Sequence, residues 1–299
     1  MSEKPITSQC PACGSFETRP VLDARDYTVS GEVFHIHECK VCSLRFTAPV
    51  PDAAHIGKYY QSEDYISHSD TQRGLINKLY HYIRKIALAQ KKKWIQNATG
   101  LQTGNILDIG CGTGYFLHEM KLAGWRVTGL EPDETARAVA LKNSQITALP
   151  PEELYRLPQH SFDAITLWHV LEHVHDLHPY LEQIRQLLRP GGKLFIAVPN
   201  YTSGDQEKFG SYWAAYDVPR HLYHFSPKAM KLVTEKHGLR LVSMKAMPFD
   251  AFYVSLLSEK YEHGRTLYLK GFLTGLRSWS HARKDATKAS SILYMLERN

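Results

Sequence analysis

Ile106-Leu107-Asp108-Ile109-Gly110-Cys111-Gly112-Thr113-Gly114 is the stretch from which this 299-residue chain is best read. A short apolar run that carries one acid and ends in three alternating glycines is a strand entering a tight turn. A helical pattern through Phe116, Leu117 and Met120 follows it. In open α/β sheets, ligands bind at such strand-to-helix junctions. Glycine lets the backbone turn sharply there and come close to a nucleoside.

The flanking sequence keeps the same rhythm. Trp125–Leu130 reads as a second strand, and Asp133 caps a helix through Ala140. Phe162–Leu167 and Lys193–Val198 read as further strands, with a helix over Leu177–Leu188 between them. Ser226-Pro227 opens another helix that His237-Gly238 closes, and Leu239–Met244 is a late strand. This alternation predicts an α/β fold with a parallel sheet covered on both faces. Glu131 ends the second strand, where an acid suits the two hydroxyls of a ribose. The loop is Gly-x-Gly-x-Gly rather than Gly-x-Gly-x-x-Gly. Asp108 just before it would repel a pyrophosphate but accept hydrogen bonds from an ammonium group, which favours S-adenosylmethionine over a dinucleotide.

Together with Gly129-Leu130-Glu131-Pro132, Phe162-Asp163-Ala164-Ile165 and Leu188-Arg189-Pro190-Gly191-Gly192-Lys193, the loop resembles the class I S-adenosylmethionine-dependent methyltransferases over roughly residues 95–245. The resemblance implies a Rossmann-like sheet of seven strands with an antiparallel hairpin at its end. It places Asp108, Gly110, Cys111, Gly112, Gly114, Glu131, Pro132, Trp168 and His169 around the cofactor, and leaves the adenine contact unassigned.

The first 50 residues form a unit of their own. Cys10/Cys13 and Cys39/Cys42 are two Cys-x-x-Cys knuckles joined by short alternating strands, the pattern of a zinc ribbon. Four thiolates close a tetrahedron and leave no position for water, so the Zn2+ is expected to be structural and to supply folding energy that this small unit lacks. Knuckles followed by a Tyr-Tyr pair are similar to the zinc-bearing sugar C-methyltransferases, and closer still to shorter zinc-ribbon methyltransferases. That resemblance implies a base at His221 and a substrate-lining tyrosine at Tyr60. Arg220 stands where the sugar enzymes have Glu, and their second nucleotide-fold domain has no counterpart here.

A methyl sulfonium is already activated, so acceptor placement and proton removal are what remain for side chains to do, and histidine titrates in the useful range. His221 and His173 are the catalytic candidates; for His173, orienting the loop after the fourth strand competes with catalysis. Tyr60, Tyr65, Trp213, Arg220 and His224 are the substrate candidates. The competing reading of the Trp213–His224 loop is a segment pinned by aromatic packing.

Lys+Arg 36 against Asp+Glu 30 gives a net charge of +6, too mild for the basic face an RNA-gripping ribbon needs. A methyltransferase acting on oxygen or carbon of a small molecule is expected, with a sugar, glycan precursor or lipid-linked compound as acceptor. RNA methylation is the alternative, and the intact glycine loop argues against a non-catalytic module. No apolar stretch marks a secretory signal, and apolar runs are too short to span a bilayer, so the expected location is cytoplasmic. The expected division is a zinc-ribbon unit (1–50), a substrate-covering loop and lead-in helix (51–98), the methyltransferase domain (99–250) and a mostly helical C-terminal extension (251–299). Ser258–Asn299 carries eight Lys/Arg against four Asp/Glu together with many apolar residues, which suits an acidic substrate, a partner subunit or an anionic membrane surface. Gly264, Gly271 and Gly275 argue against one long helix there.

Overall fold

This computed structural model describes residues 9–60 and 75–298, the side chains of 75–81 excepted, so Tyr65 lies outside the described residues. Strands β1 (Thr18–Arg25), β2 (Val33–Cys39) and β3 (Arg45–Ala48) open the chain, and helix α1 (Leu75–Thr99) leads into the larger sheet. There follow β4 (Asn105–Ile109), α2 (Tyr115–Leu122), β5 (Arg126–Leu130), α3 (Glu134–Ser144), β6 (Ala148–Leu149), β7 (Phe162–Trp168), α4 (Leu177–Leu187) and β8 (Leu188–Pro199). The chain ends with α5 (Gly204–Phe209), β9 (Tyr223–His224), α6 (Pro227–Glu235), β10 (Leu239–Ala246), α7 (Asp250–His263), α8 (Tyr268–Lys284) and β11 (Ser291–Arg298).

The larger sheet has seven strands in the order β10-β11-β8-β7-β4-β5-β6. The neighbours from β8 to β6 run parallel, while β11 is antiparallel to both β8 and β10. The central strands are buried on both faces, as Ile106, Leu107, Ile165, Leu167, Phe195 and Ile196 show. Short-range signals hold up well. The Asp133 carboxylate accepts from Ala136 N, and the Ser226 hydroxyl from Ala229 N, each satisfying a free amide at a helix start.

Two boundaries differ from the sequence reading. Residues after 250 are not an extension of a finished domain: β11 supplies the antiparallel strand of the sheet, and α7 and α8 are an insertion ahead of it. Gly264, in the left-handed region, does end α7, but Gly271 and Gly275 lie inside α8. A Cβ on Gly271 would stand 3.0 Å from Leu256 Cα, and one on Gly275 2.8 Å from Phe252 Cα. These two glycines are there so that the helices can touch.

The N-terminal strands form a second sheet, β1-β2-β3-β9, whose last strand belongs to the loop that carries His221 and His224. Cys10, Ala12, Cys39, Leu44 and Phe46 share one core with Leu222, Phe225 and Met230. The zinc-ribbon-like unit is thus packed into the main body rather than hung from it.

Candidate active site

The glycine loop is pinned from below: Gly110 N and Cys111 N both donate to the carbonyl of Leu130, at 2.8 and 2.9 Å. A Cβ on Gly110 would meet Val170 Cγ2 at 2.5 Å, so only glycine fits. At Gly112, φ is +53° and nothing lies within 4 Å of where a Cβ would point, so the loop faces open space there. Cys111 turns its buried thiol away, under the loop against Gly129; burial raises its pKa, and its contribution to a ligand is its backbone.

Around this opening sit the expected acids. Asp108 is buried, with one carboxylate oxygen accepting from the Thr166 hydroxyl at 2.6 Å. Burial raises its pKa to about 7, against the pull of Thr166 and Lys91. Glu131 uses one oxygen for Gly112 N (2.8 Å) and the other for Asp133 N (3.0 Å), which fixes the carboxylate and leaves lone pairs for hydroxyls. Pro132 is exposed beside it. Trp168 packs its ring edge-on to Phe116, and its indole nitrogen is buried without a hydrogen-bond partner among the described residues. The ammonium of Lys91, on α1, stands 4.1 Å from the Trp168 ring centroid and is drawn toward Asp108 and Asp250. An orphan donor, a cation, a desolvated acid and a glycine opening at one set of strand ends suit S-adenosylmethionine, whose amino-acid end carries both charges and whose ribose offers two hydroxyls. Asp108, Lys91, Glu131 and Trp168 would hold it.

His169 follows β7 in the left-handed region (φ 59°). Its ring lies 3.0 Å from Asp250 and 3.5 Å from Glu172. Burial opposes a charge there, but the two carboxylates prevail and raise its pKa to about 10, so His169 is a held cation rather than a base at neutral pH. Glu172 is fully buried, and among the described residues neither of its carboxylate oxygens makes a hydrogen bond, His169 standing off at 3.5 Å. Beyond it stand His173 and His221, their rings 4.6 Å apart and edge to face. Glu172, His173 and His221 each bring a polar atom within 4.8 Å of the other two. His221 Nδ1 lies 2.9 Å from the carbonyl of Ala215, a contact that requires a proton on Nδ1 and leaves Nε2 with the lone pair, 3.8 Å from Asp217. His173 Nδ1 is 3.0 Å from both the carbonyl of Arg220 and the hydroxyl of Tyr60. Burial and the adjacent His221 lower the pKa of His173 to about 4, so it is neutral.

Three residues expected to face substrate do other work. Arg220 is buried, and its guanidinium donates to Asp26, Asp217 and the carbonyl of Tyr59, which leaves little to offer an anion. Trp213 is buried and donates from its indole nitrogen to Asp205, which also accepts from Ser278 and Ser290. His224 is buried between Thr47 and Tyr216. Packing, the competing reading of this loop, describes these three; Tyr60 alone of the described substrate candidates reaches the histidine pair. Lys91 and Asp250 escape the sequence reading, which names Glu172 beside His173 and Asp217 beside His221 without giving either a catalytic role. The pair Glu172-His173, three residues past His169, is the local signal; Lys91 lies hidden in a run of lysines.

The four cysteines are gathered at the start of the N-terminal sheet, their sulfurs within 4.8 Å of one another, with Cys10–Cys42 and Cys13–Cys39 each at 3.5 Å. Zinc at about 2.3 Å from each sulfur needs sulfur–sulfur edges of about 3.8 Å, close to what is present.

A family profile described as a methyltransferase domain matches residues 78–244. The chain belongs to this family. The seven-stranded sheet and the glycine loop make it a class I S-adenosylmethionine-dependent methyltransferase. The methyltransferase is 29% identical over 188 residues to the ubiquinone biosynthesis O-methyltransferase of Nitrosococcus oceani, covering 58% of this chain and 78% of that one. It is 30% identical to the human mitochondrial ubiquinone biosynthesis O-methyltransferase over 49% of this chain and 44% of the other. Among solved structures, Burkholderia thailandensis 1,6-didemethyltoxoflavin-N1-methyltransferase shares the fold, with a TM-score of 0.51 at 15% identity over 92% of this chain and all of that one. Among the described residues, no helix of the methyltransferase is long and apolar enough to cross a membrane.

Proposed function

We propose that this methyltransferase moves a methyl group to a hydroxyl oxygen of a small molecule, with His221 as base and a structural zinc ion on Cys10, Cys13, Cys39 and Cys42. Relatives named as O-methyltransferases favour oxygen over carbon, and an acceptor of the ubiquinone-precursor type over the sugar or glycan precursor that the N-terminal resemblance suggests. RNA methylation gains no support from them. The observation that carries the reading is that His221 commits Nδ1 to the carbonyl of Ala215, so Nε2 is the nitrogen left to face the carboxylates of Asp217 and Glu172.

Bound S-adenosylmethionine supplies the methyl, already activated on a sulfonium. Asp108 would hold the ammonium of its amino-acid end, Lys91 and the Trp168 indole its carboxylate, and Glu131 the ribose. His221 Nε2 accepts the proton that the acceptor hydroxyl gives up as its oxygen takes the methyl. Asp217 at 3.8 Å and Glu172 nearby stabilise the imidazolium so formed. Neutral His173 and the Tyr60 hydroxyl flank the acceptor.

Methyl-labelled cofactor offered with hydroxylated aromatic acids, nucleotide-linked sugars and RNA is expected to label the hydroxylated aromatics. Label confined to sugar or RNA would overturn the acceptor class. Asp108 makes a second expectation. It is protonated below about pH 7 and becomes a full partner for an ammonium only as pH rises through that value. Affinity for S-adenosylhomocysteine should therefore climb by up to about tenfold per pH unit below 7 and level off above it. Asp108→Asn should flatten the profile in calorimetric titrations; a wild-type profile already flat would show that the ammonium is held elsewhere.

A further inference from the structure

Helix α8 is amphipathic in an inverted sense. Its inward stripe is Gly271, Gly275, Ser278 and Ala282, spaced four, three and four residues apart, all buried against α7 and α5. Its large apolar residues point the other way: Tyr268, Leu269, Phe272, Leu273 and Leu276 are 75, 74, 51, 54 and 46% exposed. At 100° per residue these five cover an arc of about 140°. Lys270, Arg277 and Lys284, seven residues apart, run along the flank of that arc and are exposed, Lys270 also reaching Glu259 of α7 at 3.2 Å. Arg283 adds another cation, and the 17 residues of α8 contain no Asp or Glu at all.

An ordinary surface helix hides its leucines and shows its charges. Here the close approach of α8 to Leu256 and Phe252 is made with glycines, and that leaves the leucines outside. A contiguous apolar strip of this kind on a protein surface marks an interaction site. A second copy of the chain is a poor occupant: a two-fold contact would set one row of Lys270, Arg277 and Lys284 against its own like, with no acid on either helix to answer it. A nucleic acid would answer the cations and leave the leucines in water. An anionic lipid surface meets both demands, accepting leucine and phenylalanine into the acyl boundary while its headgroups pair with the flanking lysines and arginines. Since no described helix can cross a bilayer, the contact lies in the interface plane.

We propose that α8 docks this methyltransferase on anionic membrane surfaces, with Leu269, Phe272, Leu273 and Leu276 entering the interface and Lys270, Arg277 and Lys284 bound to headgroups. The inference stands apart from the choice of acceptor. It is tested by flotation of the full chain with vesicles of one part phosphatidylglycerol to two parts phosphatidylcholine, beside vesicles of phosphatidylcholine alone. Wild type is expected to float with the anionic vesicles, to lose binding in high salt, and to bind neutral vesicles at least about tenfold more weakly. Phe272→Asp with Leu273→Asp should cut binding to the anionic vesicles at least about tenfold. Arg277→Glu with Lys284→Glu, which changes only exposed side chains, should do the same. Both variants should keep wild-type affinity for S-adenosylhomocysteine, so a loss of flotation is not a loss of fold or of the methyltransferase reading. The proposal is overturned if wild type stays at the bottom of the gradient, or if charge reversal leaves flotation unchanged. It is equally overturned if sedimentation shows a dimer that Leu273→Asp dissolves, because a second copy would then own the face.

Discussion

Removing the zinc proposed for the four cysteines, or replacing Cys39 and Cys42 by serine, is expected to slow methyl transfer about a hundredfold while cofactor affinity moves by less than about threefold. The reason is a path of contacts four residues long. Cys42 is followed by Ser43, whose carbonyl accepts from Tyr201 and Ser226, and then by β3, which pairs Arg45 with His224 and Phe46 with Tyr223. Thr47, next along, donates its hydroxyl to the carbonyl of His221 at 2.7 Å and its amide to the carbonyl of Leu222 at 3.0 Å. Asp26, at the end of the first hairpin, holds Arg220 at 3.0 Å. The backbone that aims His221 is therefore fastened to the knuckles on one side and to the hairpin on the other, and a displacement of about 1 Å costs on the order of a hundredfold in rate. The cofactor residues hang on β4, β5, β7 and α1, which make none of these contacts. Single-turnover rates with labelled cofactor, paired with calorimetric binding of S-adenosylhomocysteine, separate the two. An unchanged rate in the stripped protein would show that the cysteines do not support His221; a joint loss of rate and binding would mean that the whole chain had unfolded.

His221→Ala is expected to lower kcat by about 10²–10⁴-fold with the KM for cofactor unchanged, which is the usual worth of a positioned general base. The side chain is nearly buried and its Nδ1–H already satisfied by Ala215, so truncation removes the base and strands one carbonyl. Added imidazole should restore part of the rate in the alanine variant. His224→Ala, by contrast, removes a ring that hydrogen-bonds Thr47 at 3.2 Å and packs edge-on to Tyr216, and its losses should appear chiefly as lowered stability. Equal kcat for His221→Ala and wild type at saturating acceptor would falsify the assignment of the base.

What was legible in the chain was what its chemistry settles locally. Asp133 caps a helix through one bond to an amide three residues on, and Gly110 is required by Val170 in a turn that the strand itself sets up. The four cysteines advertise themselves by spacing. β11 gave no comparable signal: Tyr294 pairs with Ile196 and with Met244, residues 98 and 50 positions earlier, and an apolar eight-residue run reads the same in any sheet. Arg220 looked like an anion hook because it stands next to a histidine; its partner Asp26 is 194 residues away. Gly271 and Gly275 read as helix breakers, since only the neighbouring helix shows why a side chain would not fit. Charge balance within the site was likewise hidden, because His169 becomes a fixed cation only when the fold brings Asp250 and Glu172 to its two nitrogens.

The placement of β11 also sets a timetable. The strand that fills the gap between β8 and β10 leaves the ribosome after both of them, so the sheet waits half-built through the synthesis of α7 and α8, with the facing edges of β8 and β10 unpaired. Open strand edges are templates for other chains. A nascent chain at that stage is a natural client for a chaperone, and a premature stop just ahead of Ser291 would leave every cofactor residue in place on a protein unable to close.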